Sequence, residues 1–124
     1  MIYVAIDGDD IGRKLASCYL SNRVDDLMAT KDLVDLTTQH ISDLLIRLGY
    51  EVFFCAADGV TGALKVEKID VGALYQEIEN IAGHELSFSV GVGKSLREAY
   101  VALLYAKSTG KGRACEYSSI GSNV

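Results

Sequence analysis

Three carboxylates, Asp7, Asp9 and Asp10, fall within four positions directly after the apolar run IYVAI (residues 2–6). Like charges this close repel, and at the end of a buried strand they are costly unless something positive neutralises them. Acid clusters with oxygen ligands suit Mg²⁺ or Mn²⁺, and Mg²⁺ takes one or two carboxylates together with water and substrate phosphate. A fourth carboxylate, Asp58, stands in the segment AADG, and two lysines, Lys107 and Lys111, follow late in the chain. Lysines near such acids would carry phosphate charge. The same residues also admit plainer roles. Asp9 or Asp10 could cap a helix, Asp58 could serve a turn, and the lysines could offset a helix C-terminus. His40 and His84 have no ligand-like residue at metal spacing, so a zinc site is unsupported.

The elements that must position these groups can be read from periodicity. IYVAI is a short apolar run with β-branched and aromatic members and predicts a central strand. A helix is expected from about Ile11 to Leu20, capped by Asp9 or Asp10, with a break at 21–23. Residues 24–48 are helical in pattern, in one or two pieces. Leu33, Leu36, Ile41, Leu44, Leu45 and Leu48 lie on one face, Asp32, Asp35, Gln39 and Asp43 on the other, and Gly49 ends it. EVFFCAADGVTGALKV (51–66) reads as a hairpin turning at Asp58-Gly59 in a type I′ turn. A helix over 70–82 is capped by Asp70 and buries Val71, Leu74, Tyr75, Ile78 and Ile81. LSFSVGVG (86–93) is a strand, Ser95 and Glu98 form a capping box for a helix reaching Ser108 and stopping at Gly110, and RACEY (113–117) is an edge strand.

This order predicts an α/β (α+β) fold: a ferredoxin-like βαββαβ core with extra helices around a mostly antiparallel sheet. If the first strand runs up, Asp7 is at its top. The crossover helix returns the chain, so the second strand also runs up and its hairpin with Asp58 is at the top as well. The fourth strand runs down, the helix after it runs up, and Lys107 and Lys111 arrive at the same edge. Free backbone N–H groups at Asp10, Ile11 and Gly12, where the first helix starts, add an anion site.

The arrangement resembles the palm domains of the GGDEF (diguanylate cyclase) and CRISPR polymerase superfamily, and within it the minimal CRISPR polymerase-like group, mCpol. AIDGDDIG is similar to the first metal strand, FFCAADG to the hairpin that names GGDEF proteins, FSVGVG to the strand S-x-G-[IV]-[AG], and LLYAKSTGKGR to the closing A-K-x-x-G-[RK]-x-R. The resemblance implies a palm spanning 1–124 with two Mg²⁺ (or Mn²⁺) per site, held by Asp7, the carbonyl of Gly8 and Asp58. Catalysis would rest on Asp7, Asp58 and Asp9. Asp10, Ile11, Gly12, Gly59, Lys107 and Lys111 would bind the nucleotide. It further implies a nucleotidyltransferase making a cyclic di- or oligonucleotide from nucleoside triphosphate. Its substrates would lie at a homodimer interface, a separate effector would sense the product, and the setting would be anti-viral defence. The residue eight positions beyond Asp7, where diguanylate cyclases read guanine with Asn, is Leu15, so ATP is the expected substrate. The hairpin departs from the family, with Ala56 and Ala57 for glycines and Gly59 for a second acid. At 47–50, where R-x-x-D would form the product-inhibition site, Arg47 is present but Tyr50 replaces the acid.

Composition bounds the alternatives. A net charge of −5 over 124 residues argues against a general nucleic-acid surface, so no direct DNA binding is expected. Three cysteines without CxxC spacing read as free thiols of a reducing compartment. With no leader and no membrane-length apolar stretch, the expected location is the cytoplasm, away from membranes. Three rival readings keep some of the same residues. A degenerate palm would bind nucleotide without turning it over. A phosphoacceptor receiver domain would use Asp9, Asp10, Asp58, Ser87 and Lys107. A haloacid-type phosphatase would use only the D-x-D.

Overall fold

The structure is a computed structural model and describes residues 1–121. The chain runs β1 (Ile2–Gly8), α1 (Ile11–Leu20), α2 (Val24–Arg47), β2 (Glu51–Ala56), β3 (Gly59–Leu64), α3 (Val71–Ala82), β4 (Phe88–Gly93), α4 (Leu96–Ser108) and β5 (Ala114–Glu116), then a 3₁₀ turn over Tyr117–Ser119. The five strands form one sheet in the order β2-β3-β1-β4-β5, antiparallel except for the β4–β5 pair. This is the expected ferredoxin-like, palm-like α+β core. The sheet excludes the receiver reading, whose doubly wound fold needs a parallel sheet.

Strand β1 is central because both of its faces are covered. Ile2, Val4 and Ile6 enter the main core with Ile41, Leu45, Leu74 and Ile78 of α2 and α3. Ala5 packs on the other side against Ala99 and Leu103 of α4. Asp7 therefore shares the α4 side with Tyr3 and Ala5, by strand alternation. Helix α4 lies very close to β4. A Cβ on Gly91 would stand 2.1 Å from the Ala99 carbonyl oxygen, and one on Gly93 would stand 2.8 Å from the Ala99 nitrogen. The alternating glycines of VGVG therefore let the helix that carries Lys107 seat on the sheet.

Several local expectations shift. Residues 24–47 form one helix. Its buried stripe includes Val34, Thr37, Thr38, Ile41, Leu44 and Leu45, while Leu36 and Leu48 are exposed. Leu36 stands two residues after Val34 and five before Ile41, which at the helical period puts it on the face opposite this stripe. Its end is a Schellman motif: Tyr50 N–H donates to the Leu45 carbonyl, Gly49 N–H to that of Ile46, and Gly49 takes φ 94°. Asp70 caps α3, accepting from Ala73 N–H at 3.0 Å. Ser95 caps α4 by accepting from Glu98 N–H, but Glu98 returns its bond to Lys94 N–H, one residue before the cap. Neither Asp9 nor Asp10 caps α1 through its side chain; Asp10 holds the cap position with φ 59° and turns its carboxylate elsewhere.

The hairpin turn also differs. Ala56 pairs with Gly59, so the two loop residues are Ala57 and Asp58, and of these only Ala57 has positive φ, at 52°. That sign pattern belongs to the II′ class rather than I′. The physical reason is Gly59, which is held in the ladder opposite Asp7 and cannot serve the turn.

Candidate active site

Asp7, next to last in β1, lies between Gly59 of β3 and Ser89 of β4. The next residue ties the hairpin to it: Gly8 N–H donates to the Asp58 carbonyl at 3.0 Å. A Cβ on Gly8 would meet Ile11 Cγ1 at 2.6 Å and Asp58 Oδ2 at 3.0 Å, so only glycine lets the second carboxylate approach. Gly59 leaves the Asp7 carboxylate uncovered, since a Cβ there would lie 3.5 Å from Asp7 Oδ1. The two acidic segments predicted to share the top of the sheet do meet there.

Lys107 closes this group from α4. Its Nζ lies 2.7 Å from the Gly8 carbonyl oxygen, 3.1 Å from Asp7 Oδ2 and 3.3 Å from Asp9 Oδ1. Burial works against its charge, but the hydrogen bond and field of Asp7, aided by Asp9, hold the ammonium above its ordinary pKa. Asp7 moves upward as well. Burial raises its carboxyl, the charge of Asp58 adds to the rise, and Lys107 opposes it without cancelling it.

Asp9 has a different environment. It is 4 % exposed, and four donors converge on its two oxygens. Ser89 Oγ donates to Oδ1 at 2.7 Å and Ser87 Oγ to Oδ2 at 2.7 Å. Gly112 N–H reaches Oδ2 at 2.9 Å, and Lys107 is the fourth donor. Burial would raise this carboxyl, but the serine hydroxyls, Gly112 N–H and Lys107 outweigh it, and its pKa falls. Asp9, expected among the catalytic acids, is thus enclosed and saturated. Ser87, Ser89 and Gly112 were not expected as its partners. The signal was present in LSFSVG (residues 86–91), where hydroxyls alternate with core-facing Phe88 and Val90.

Asp10 and Lys111 pair at the surface, Nζ to Oδ1 at 2.5 Å, and this bond lowers the Asp10 pKa. Both residues adopt left-handed backbone, φ 59° and 60°. Lys111 follows the end of α4, its N–H donating to the Ala106 carbonyl at 3.0 Å, so the helix ending itself delivers this lysine. Ile11 is buried in the core and reaches the site only through its backbone. Gly12 is open, with nothing within 4 Å of where a Cβ would stand. Ile11 and Gly12 lie in the first turn of α1, where N–H groups have no carbonyl four residues back in the helix to bond. A cleft of about 380 Å³ runs beside them, lined by Asp9, Asp10, Lys14, Ser87 and Lys111 among others, and it includes His84. Lys14 also lines the groove between α1 and α2 with Arg13 and Arg23; none of these three was expected.

Among the described residues no group of three or more His, Cys, Asp or Glu side chains is placed to hold a metal ion. The donors that do converge are Asp7, Asp58 and the Gly8 carbonyl. They are hard oxygen donors, few enough to leave positions for water and phosphate, which fits Mg²⁺ or Mn²⁺ rather than zinc. The ammonium of Lys107 on Asp7 and the Gly8 carbonyl shows that this pair accepts a cation.

A palm-like sheet with two carboxylate segments and two lysines at one edge defines a polymerase-like class of domain. Residues 3–117 match the family model of the minimal CRISPR polymerase domain, mCpol, and the chain belongs to that family. At the coarse level its activity is polymerase- or nucleotidyltransferase-like. No curated protein matches the chain. Among the described residues no helix is long and apolar enough to cross a membrane.

Proposed function

We propose that the protein is a metal-dependent nucleotidyltransferase that joins nucleoside triphosphates, ATP above all, into a cyclic di- or oligonucleotide signal. The observation that carries this reading is the meeting of Asp7, the Gly8 carbonyl and Asp58 with Lys107 at one sheet edge. Asp7, Gly8 and Asp58 would hold the ions. Bound there, Mg²⁺ or Mn²⁺ supplies Lewis acidity for attack of a 3′- or 2′-hydroxyl oxygen on an α-phosphorus, with pyrophosphate as the leaving group. The chain itself orients the phosphates. Lys107 and Lys111 supply positive charge, and the first-turn N–H groups of α1 beside open Gly12 would donate to phosphate oxygens. Asp9 is assigned to positioning rather than to the reacting atoms.

One such site holds one triphosphate, so a cyclic dinucleotide requires two copies facing each other. An apolar face supports this. Phe53, Phe54, Leu96 and Tyr100 are each half exposed around Ala5 and Thr61, on the side of the sheet that bears Asp7. β2 is moreover an edge strand, which invites pairing. In this reading the product acts on a separate effector, in anti-viral signalling within the cytoplasm. To test it, the purified protein is incubated with Mg²⁺ or Mn²⁺ and each nucleoside triphosphate, singly and in pairs. Pyrophosphate is followed and products are identified by mass and nuclease sensitivity. A cyclic product from ATP is expected. Metal-dependent ATP binding without product would instead mark a palm that only binds nucleotide.

A further inference from the structure

We infer that Asp9 is a positioning residue: its carboxylate is the strut that holds Lys107 and the Gly110–Gly112 loop in register with the end of β1. The inference rests on the nucleotidyltransferase reading for what the two lysines do, and on geometry alone for how they are held.

Four donors on Asp9 come from three separate places in the chain. Ser87 and Ser89 belong to the strand side, Lys107 to α4, and Gly112 to the loop after it. Asp9 N–H also donates to the Ser87 carbonyl at 2.8 Å, which fixes the backbone beneath the carboxylate. The loop it grips has little reason to keep its shape alone. Gly110, Lys111 and Gly112 all have positive φ, at 137°, 60° and 54°, and for Lys111 this is a strained conformation. The Gly112 bond to Asp9 fixes the residue immediately after Lys111, while the Lys111 N–H bond to Ala106 fixes the other side. Between these two ties the Lys111 side chain is set toward Asp10. Lys107, bridging Asp9 and Asp7, is set in the same way.

With both oxygens saturated and 4 % exposure, Asp9 has no open face for a metal ion or a substrate. Its contribution is to keep two cations in place before the phosphates arrive, which lowers the reorganisation that binding requires.

The test compares wild type with Asp9→Asn, Ser89→Ala, Asp7→Asn and the surface control Asp43→Asn, each checked for folding by thermal unfolding. Three quantities are read. They are the rate of tryptic cleavage after Lys111, followed by mass, the affinity for Mn²⁺ alone, and the affinity for an ATP analogue with an imido link between the α- and β-phosphates. In Asp9→Asn, cleavage after Lys111 is expected to quicken about tenfold and analogue affinity to fall about tenfold, with Mn²⁺ affinity within about threefold of wild type. Asp7→Asn should lose Mn²⁺ binding and keep the slow cleavage. Ser89→Ala keeps the charge and removes one neutral donor, and should show the same pattern more weakly, which covers an Asp9→Asn protein that does not fold. Loss of Mn²⁺ binding in Asp9→Asn equal to that in Asp7→Asn would make Asp9 a metal ligand and overturn the inference. Unchanged cleavage and unchanged analogue affinity would overturn it alone, leaving the nucleotide reading intact. A wild type that binds no analogue would remove the nucleotide reading, and with it the phosphate role assigned to the strut.

Discussion

Asp7 and Asp9 are separated by one residue, yet their surroundings push them in opposite directions. Asp7 faces burial and a second acid and is raised, whereas Asp9 meets hydroxyls, an N–H and an ammonium and is lowered. The signs predict a pH dependence. A lowered folded pKa gives Asp9 a stabilising contribution fully present above the ordinary value of 3.8 and lost as the pH falls below it. Asp7 works the other way. Its charged form opposes folding above its raised pKa, and that cost fades as the pH falls toward 3.8 and below. Thermal unfolding of wild type and Asp9→Asn from neutral pH down to about pH 3 should show a shallower acid loss in the variant. Equal slopes would mean that Asp9 is not held as described. At this scale the sequence pointed to the acids and lysines as a group, because unlike charges at one strand end need each other. It did not separate the enclosed Asp9 from the half-exposed Asp7. That distinction depends on Ser87, Ser89 and Gly112, whose separations of 78, 80 and 103 residues from Asp9 no local pattern encodes.

Two elements carry the site, the β2–β3 hairpin and the β4–α4 unit, and each depends on one backbone position. Ala57 adopts φ 52° in the turn that presents Asp58. An L side chain is strained there, so Ala57→Gly should stabilise the protein by about 0.5–1 kcal/mol, after the extra flexibility of glycine in the unfolded chain is allowed for. Urea unfolding with an unchanged slope and a higher midpoint would show it. A lower midpoint would refute the strain. Gly91 sits under α4, and Gly91→Ala places a methyl group 2.1 Å from a backbone oxygen that cannot swing aside. Its cost should be about 3 kcal/mol or more, at the upper end of overpacking effects, and Lys107 should shift with the helix, so turnover falls together with stability. Periodicity, with the cap and turn residues, was enough to place the four α-helices and five strands of the described residues, though not the 3₁₀ turn at Tyr117–Ser119. It misplaced the turn because Asp-Gly is a strong local signal that the cross-strand partnership of Gly59 with Asp7 overrides. It also placed Leu36 inside because a leucine repeat outweighs threonines in such a reading, although Thr37 and Thr38 are the residues that pack.

For the molecule as a whole, the charges gather at one end of the sheet while an apolar face spreads beside them. Phe54 is 55 % exposed on that face and Tyr100 57 %, and both line the same open apolar groove. If two copies pair there, Phe54→Glu should leave a folded monomer by sedimentation and lower cyclic-product formation about a hundredfold or more, since each copy then lacks a partner nucleotide. A variant that sediments as wild type and remains active would place the contact elsewhere. Topology was legible because the crossover rule fixes which strand ends coincide. The apolar face was not, because strand alternation around Phe53 and Phe54 is interrupted by a register shift between Val52 and Phe54. The proposed role of Asp7 and Asp58 as the joint centre of nucleotidyl transfer at this sheet edge is tested first by the rate of pyrophosphate release from ATP with Mn²⁺ by wild type, Asp7→Asn and Asp58→Asn, each shown to be folded. Release with a cyclic product is expected from wild type, with a fall of about a thousandfold or more in both variants; release at the wild-type rate in either variant, or none from wild type with any nucleoside triphosphate, would overturn this assignment.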